Sequence, residues 1–160
     1  MARKAQPAAG SKPVPATGGR HWLLKTEAET WSWEQQVARG AKGEQWNGVR
    51  NFQARNNMRA MQKGDLAFFY HSGSERSVVG VVRVSATVHP DPDDDSGTWE
   101  CVDVVAVKPL PRPVTLEEIK SAPALADMVL VRNSRLSVQP VTAEQWAEVC
   151  RMGGLDPATL

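Results

Sequence analysis

Apolar positions in this chain come in short runs, and their spacing switches between two residues and about 3.6. His21-Trp22-Leu23-Leu24-Lys25-Thr26 reads as the first strand, with Trp22, Leu24 and Thr26 on one face and Leu23 and Lys25 on the other. Ser32-Trp33-Glu34-Gln35 fits a capping box and Gly40 a helix stop, which predicts a short helix over 33–39. After a loop to Trp46, good helix formers predict a helix over 50–62 that ends at Gly64, capped by Asn47 or Asn51, with Phe52, Met58 and Met61 for its core face. Residues 66–70 read as a buried strand, 78–84 as a second with Gly80 at a bulge, and 99–107 as a third. Thr115-Leu116-Glu117-Glu118 opens a short helix through Lys120, and residues 128–131 are strand-like or a short turn. Polar and apolar residues alternate over 134–140, placing Leu136 and Val138 inward and Arg135, Ser137 and Gln139 on the opposite face. Thr142-Ala143-Glu144-Gln145 caps a last helix carrying Trp146 and Val149, which stops at Gly153-Gly154. About five strands and three or four short helices, without regular βα alternation, predict an α+β fold with a small barrel-like sheet.

Composition adds boundaries. Residues 1–19 are rich in Ala, Pro, Gly, Lys and Ser, which predicts a disordered basic tail; residues 20–153 form the domain, and 154–160 a C-terminal tail. The hydrophobic share of 41% supports one core. No apolar run approaches a membrane span, and the basic N-terminus lacks the apolar stretch of a signal peptide. Cys101 and Cys150 form no C-x-x-C pair, so the expectation is a cytoplasmic monomer with reduced thiols. His21, His71 and His89 are scattered and suggest no metal; Asp91, Asp93, Asp94 and Asp95 lack the glycine and glutamate of a calcium loop and read as solvated. No cofactor is implied. The net charge is +1, but setting aside the four basic residues of positions 1–20 leaves 15 basic against 18 acidic, near −3. A protein that coats duplex nucleic acid is strongly basic over its fold. Any nucleic-acid binding here runs through a local patch and a pocket.

One stretch has the chemistry for that. Trp46 precedes Asn47-Gly48, a dipeptide that tolerates positive φ, and a large aromatic on a turn needs a pocket or a ligand. Val49 and Arg50 follow, then a helix start whose free N–H groups carry partial positive charge. An aromatic face, donors and guanidinium groups suit a nucleotide. Trp22 or Trp31 offers a second stacking surface. Lys25 and Thr26 end the first strand, Tyr70, His71 and Ser72 end another, and Arg135, Ser137 and Gln139 share a face. Competing structural roles are a core position for Trp22, Trp33 and Trp46, a solvated helix face for Arg50, Arg55 and Arg59, a surface ion pair for Arg135 and a satisfied loop histidine for His71.

Four motifs together carry a resemblance. Trp22-Leu23-Leu24-Lys25-Thr26-Glu27, Trp46-Asn47-Gly48-Val49-Arg50-Asn51, Gly64-Asp65 with Phe68-Phe69-Tyr70-His71-Ser72, and Ser134-Arg135-Leu136-Ser137-Val138-Gln139-Pro140 resemble the EVE domain family over about residues 21–149. The resemblance implies a PUA-like fold, a small mixed β-barrel flanked by short helices, with kinship to YTH and ASCH domains. It also implies binding of DNA or RNA that carries a modified base, such as 5-methylcytosine or its hydroxymethyl form, and no enzymatic activity. The family often has Asp where this chain has Asn47, and Pro where it has Ala28; Asn both donates and accepts, which bears on the base edge read. The rival reading is a small ASCH-like hydrolase of modified nucleosides using Lys25, Thr26 and a glutamate. Glu27 points away from Thr26 along a strand, and no other glutamate is placed by the sequence. A peptide-binding module is the third.

Overall fold

The computed structural model describes residues 20–160; the expected N-terminal tail, residues 1–19, lies outside them. Its frame is one mixed six-stranded sheet. Strand β1 (His21–Glu27) pairs with a later strand, Leu66–Ser72, in parallel, with Leu23 opposite Phe68. In chain order, β2 is Glu44–Gln45, β3 is Leu66–Ser72, β4 is Ser77–Pro90, β5 is Glu100–Thr115 and β6 is Val138–Val141. The order across the sheet is β2-β5-β4-β3-β1-β6, and every pairing except β1 with β3 is antiparallel.

Strand alternation sends apolar side chains to both faces, so both are covered. On one face Leu24, Phe69 and Val82 pack with Trp33 of α1 (Trp33–Ala38) and with Ala54 and Met58 of α2 (Phe52–Ala60). On the other, Leu23, Phe68 and Val81 pack with Ile119 of α3 (Leu116–Ser121), Leu130 of α4 (Val129–Arg132) and Trp146 and Val149 of α5 (Ala143–Met152). Phe68 and Trp146 stack with ring centroids 3.9 Å apart. The three capping boxes read from Ser32, Thr115 and Thr142 all form, each with the reciprocal bond from the cap residue's N–H to its Gln or Glu side chain.

Other elements differ from the sequence expectation, each for a physical reason. Strands β4 and β5 run 14 and 16 residues, past the expected ends at 84 and 107. Beyond Val104 the outer edge of β5 has no β2 partner, so Pro109, Pro111 and Pro113 forfeit few ladder bonds. Four register shifts bend this long hairpin, one of them at the expected Gly80 bulge. Gly80 also makes room for α1: a Cβ there would lie 2.5 Å from the Trp33 ring. Of the two readings of 128–131, the short turn is the one that forms, as one helical turn over 129–132. Helix α2 starts later than expected because Asn51 is its cap, accepting the Ala54 N–H at 2.9 Å. Phe52 therefore takes the first helical position and points outward, while Met58 and Met61 are buried. Leu155 is buried as well, and residues 157–159 form a short 3-10 turn. Among the described residues no helix is long and apolar enough to cross a membrane.

Candidate functional site

Strands β2 and β6 end the strand order, yet residues beside both meet at one cleft of about 410 Å³. That size suits a small ligand. Its walls are the C-terminal end of β1 (Lys25, Thr26), the following loop (Thr30, Trp31), β2 with its exit turn (Glu44, Gln45, Trp46, Asn47, Gly48, Val49), and Ser137 ahead of β6. The parallel pairing of β1 with β3 and the backbone bond from Lys25 N–H to the Ser137 carbonyl, 2.9 Å, fix one wall. The Trp46 N–H donates to the Val102 carbonyl at 2.7 Å and fixes the other, continuing the β2–β5 ladder.

Two indoles shape the interior. Trp46 is 7% exposed, with its ring edge-on to Phe69 at 5.5 Å. It belongs to the core and the cleft wall together, so the pocket expected for this turn aromatic is supplied in part by the protein's own core: tertiary contact buries what strand or helix periodicity does not. Trp31 is half-buried and aimed by a relay. Its Nε1 donates to Gln36 Oε1 at 2.9 Å, and buried Gln36 donates to the Val104 carbonyl at 3.2 Å.

The polar groups are similarly placed. The Lys25 ammonium donates to the Ser134 carbonyl and lies 5.7 Å from the Tyr70 ring centroid; burial lowers its pKa from the ordinary lysine value. Glu44 is paired with Arg39 at 3.1 Å. Thr26, Gln45 and Ser137 bring a hydroxyl, an amide and a second hydroxyl to the lining. Gly48 adopts φ +84°, the conformation that Asn47-Gly48 anticipated.

The acidic loop is not simply solvated. Asp91 is 1% exposed; its Oδ2 accepts the Gly48 N–H at 2.8 Å and the Arg50 guanidinium at 2.9 Å, and its Oδ1 accepts the Asp93 N–H. Burial pushes the Asp91 carboxyl up, but these donors outweigh it and carry it below the usual carboxylate range. Asp93 accepts from the Asn47 amide at 2.6 Å, and Asp94, held down to about 2 by the Trp99 N–H and by Ser96, ties off the loop. Among the described residues no cluster of three or more His, Cys, Asp or Glu is arranged to hold a metal.

Of the residues singled out by sequence, the fold gathers Lys25, Thr26, Trp46, Asn47, Gly48, Val49 and Ser137 at the cleft. Trp22 lies in the core and donates Nε1–H to Asp65 at 3.0 Å. Arg50 is committed to Asp91, and Tyr70 is buried in the opposite layer. His71 is buried and accepts the Trp33 N–H on Nε2 at 3.1 Å, which puts its proton on Nδ1, 2.8 Å from Glu75. Ser72 ends β3 outside the lining, and Arg135 is exposed on the loop before Ser137. Gln139, expected on a polar face, is fully buried and donates to the Leu136 carbonyl at 2.7 Å. Sequence reasoning missed Thr30, Glu44 and Gln45; a two-residue strand has no period to read.

Residues 20–152 match the EVE domain family. A protein of solved structure from Agrobacterium tumefaciens is 55% identical and superposes with a TM-score of 0.82, covering 85% of this chain and 94% of its own. Human thymocyte nuclear protein 1 is 33% identical over 170 residues, 86% of this chain and 76% of that protein. The crystal structure of the human protein with 5-methylcytosine-containing DNA gives a TM-score of 0.78 over 86% of this chain and 99% of that one. An ASCH protein from Zymomonas mobilis, 12% identical, shares the fold at a TM-score of 0.54 over 83% of this chain and 95% of its own. The fold is the PUA-like α+β arrangement, and the chain belongs to the EVE domain family.

Proposed function

We propose that this chain binds nucleic acid as a monomer and reads one modified cytosine, 5-methylcytosine or its hydroxymethyl form, in the cleft between β1 and the β2 turn. The observation that carries the reading is the cleft itself: two positioned indoles, Trp31 and Trp46, beside the hydroxyls of Thr26 and Ser137 and the amides of Gln45 and Asn47. The human relative solved with 5-methylcytosine-containing DNA supports it. Stacking on an aromatic contributes about 1–3 kcal/mol per base. A buried methyl adds only about 0.8 kcal/mol, roughly fourfold, so discrimination relies on polar groups left unpaired by the wrong base. Extrusion of the base costs least from a single strand.

The test is fluorescence anisotropy with short single strands, DNA and RNA, carrying cytosine or its modified forms at one position. The expected result is a several-fold lower Kd for a modified strand. A salt slope equal to about two to four phosphate contacts, near −0.7 per contact, should accompany it. Equal Kd values across the panel would refute base reading.

One observation favours an enzymatic alternative, an ASCH-like hydrolase acting on a modified nucleoside. Lys25, Thr26 and Glu44 line one cleft, which supplies the glutamate that sequence left unplaced. Both flanking charges are engaged, Lys25 by the Ser134 carbonyl and Glu44 by Arg39, so the free base that a threonine nucleophile needs is missing and binding is preferred. Release of product from modified nucleosides on incubation would reverse that preference.

A further inference from the structure

Phe52 is the large aromatic residue that the fold leaves mostly in solvent, 57% exposed among the described residues. It opens α2, three residues after Val49 of the cleft wall, a separation of at most about 11 Å. Its surroundings are built. The ring leans on Trp99, centroids 4.8 Å apart and planes 32° apart. The Arg55 guanidinium lies 4.9 Å from the Phe52 centroid and 5.8 Å from that of Trp99, and Arg50 lies 5.8 Å from Trp99. Each neighbour is pinned: Trp99 N–H donates to Asp94, Arg55 to the Thr98 carbonyl and Arg50 to Asp91, all at 2.9 Å. The Nε of Arg55 is buried without a partner. A lone surface phenylalanine means little. A pinned Phe–Trp pair beside a ligand-sized cleft is a different object.

We infer that Phe52 and Trp99 form a second contact for the same nucleic-acid strand, packing against the base next to the one held in the cleft. The inference rests on the base-binding reading above. The occupant is a nucleobase: any base presents a face to the exposed ring, whereas the Arg50 and Arg55 guanidiniums are already bonded to Asp91 and the Thr98 carbonyl, with Asp93, Asp94 and Asp95 of the Trp99 loop offsetting their charge. Extruding a base leaves its neighbour with one uncovered face, and an apolar side chain at that step covers it. The reach agrees, since nucleotides along a stacked strand rise about 3.4 Å each and about 11 Å spans one to three of them.

The experiment uses the full chain as wild type, Phe52→Ala and Phe52→Tyr. Anisotropy is measured with a short single strand carrying one central 5-methylcytosine, and with the same strand bearing stable abasic nucleotides on both sides. Calorimetry follows 5-methyl-2′-deoxycytidine alone. The expected result is that Phe52→Ala weakens binding of the intact strand about tenfold while Phe52→Tyr restores it. Affinity for the nucleoside and the salt slope should not change, and all three proteins should bind the abasic strand equally. If Phe52→Ala binds the intact strand like wild type while the nucleoside still binds, the second contact is wrong and the cleft reading stands. Equal loss of strand and nucleoside binding in Phe52→Ala also overturns it, because the effect then runs through the cleft. A wild-type chain that binds neither ligand sinks both readings. A wild-type dimer abolished by Phe52→Ala, with strand affinity unchanged, assigns the patch to a second copy instead.

Discussion

Trp46 serves two ends at once. One part of the indole lines the cleft and the rest packs on Phe69 within the core. Removing it therefore affects folding as well as binding. Trp46→Ala is expected to cost about 3–5 kcal/mol of stability, a large share of the roughly 5–15 kcal/mol that holds a domain folded. Trp46→Phe should retain most of the packing and lose only part of the aromatic wall. Urea unfolding of the two variants checks this, and an Ala variant as stable as wild type would place the ring outside the core. Asn47 has an equally local explanation. Its amide donates to Asp93 at 2.6 Å, so an aspartate at that position would set two carboxylates against each other. The asparagine thus matches a neighbour 46 residues away, which no reading of the local motif reveals.

At the scale of elements, the turn after β2 and the acidic loop after β4 form one unit joined through Asp91. Four aspartates in a row of polar residues look alike in sequence, and burial of one of them is decided by Gly48 and Arg50, far away in the chain. Capping boxes were legible because every partner lies within three residues, and so were the central strands and the Gly80 bulge. The ends of β4 and β5 were not, because prolines there read as breaks until the missing edge partner is known. The joined unit has a pH signature. Asp91 and Asp94 have folded pKa values below the ordinary carboxylate value, Asp94 at about 2. Such groups stabilise the fold fully above about pH 4, and that contribution fades as the pH falls through the folded values. The loop is expected to release as the pH falls from about 4 towards 2, seen as shifts of the Gly48 and Trp99 amide resonances with midpoints below that of a free aspartate, the Trp99 midpoint at about 2. Midpoints at the ordinary aspartate value would mean that these bonds do not hold in solution.

For the whole molecule, the sheet order explains why a cleft exists where it does. Helices cover both faces, and the side chains bordering the two ends of the strand order remain free to meet across a gap. The sequence motifs marked most of that gap, Lys25-Thr26, Trp46-Asn47-Gly48-Val49 and Ser137, because they lie on strand ends and turns. They also drew in Trp22, Tyr70, His71 and Gln139, whose side chains the tertiary fold turns into the interior. Faces of a strand are readable from alternation, whereas the layer that covers each face is not. The most direct measurement is a proton–nitrogen NMR titration of the full chain with 5-methyl-2′-deoxycytidine. Base binding in the cleft predicts saturable shifts at the amides of Thr26, Gln45, Gly48 and Ser137 and at the Trp31 and Trp46 indoles, with the α5 side of the sheet unmoved. Saturable shifts confined to other surfaces, or none at all, would contradict it.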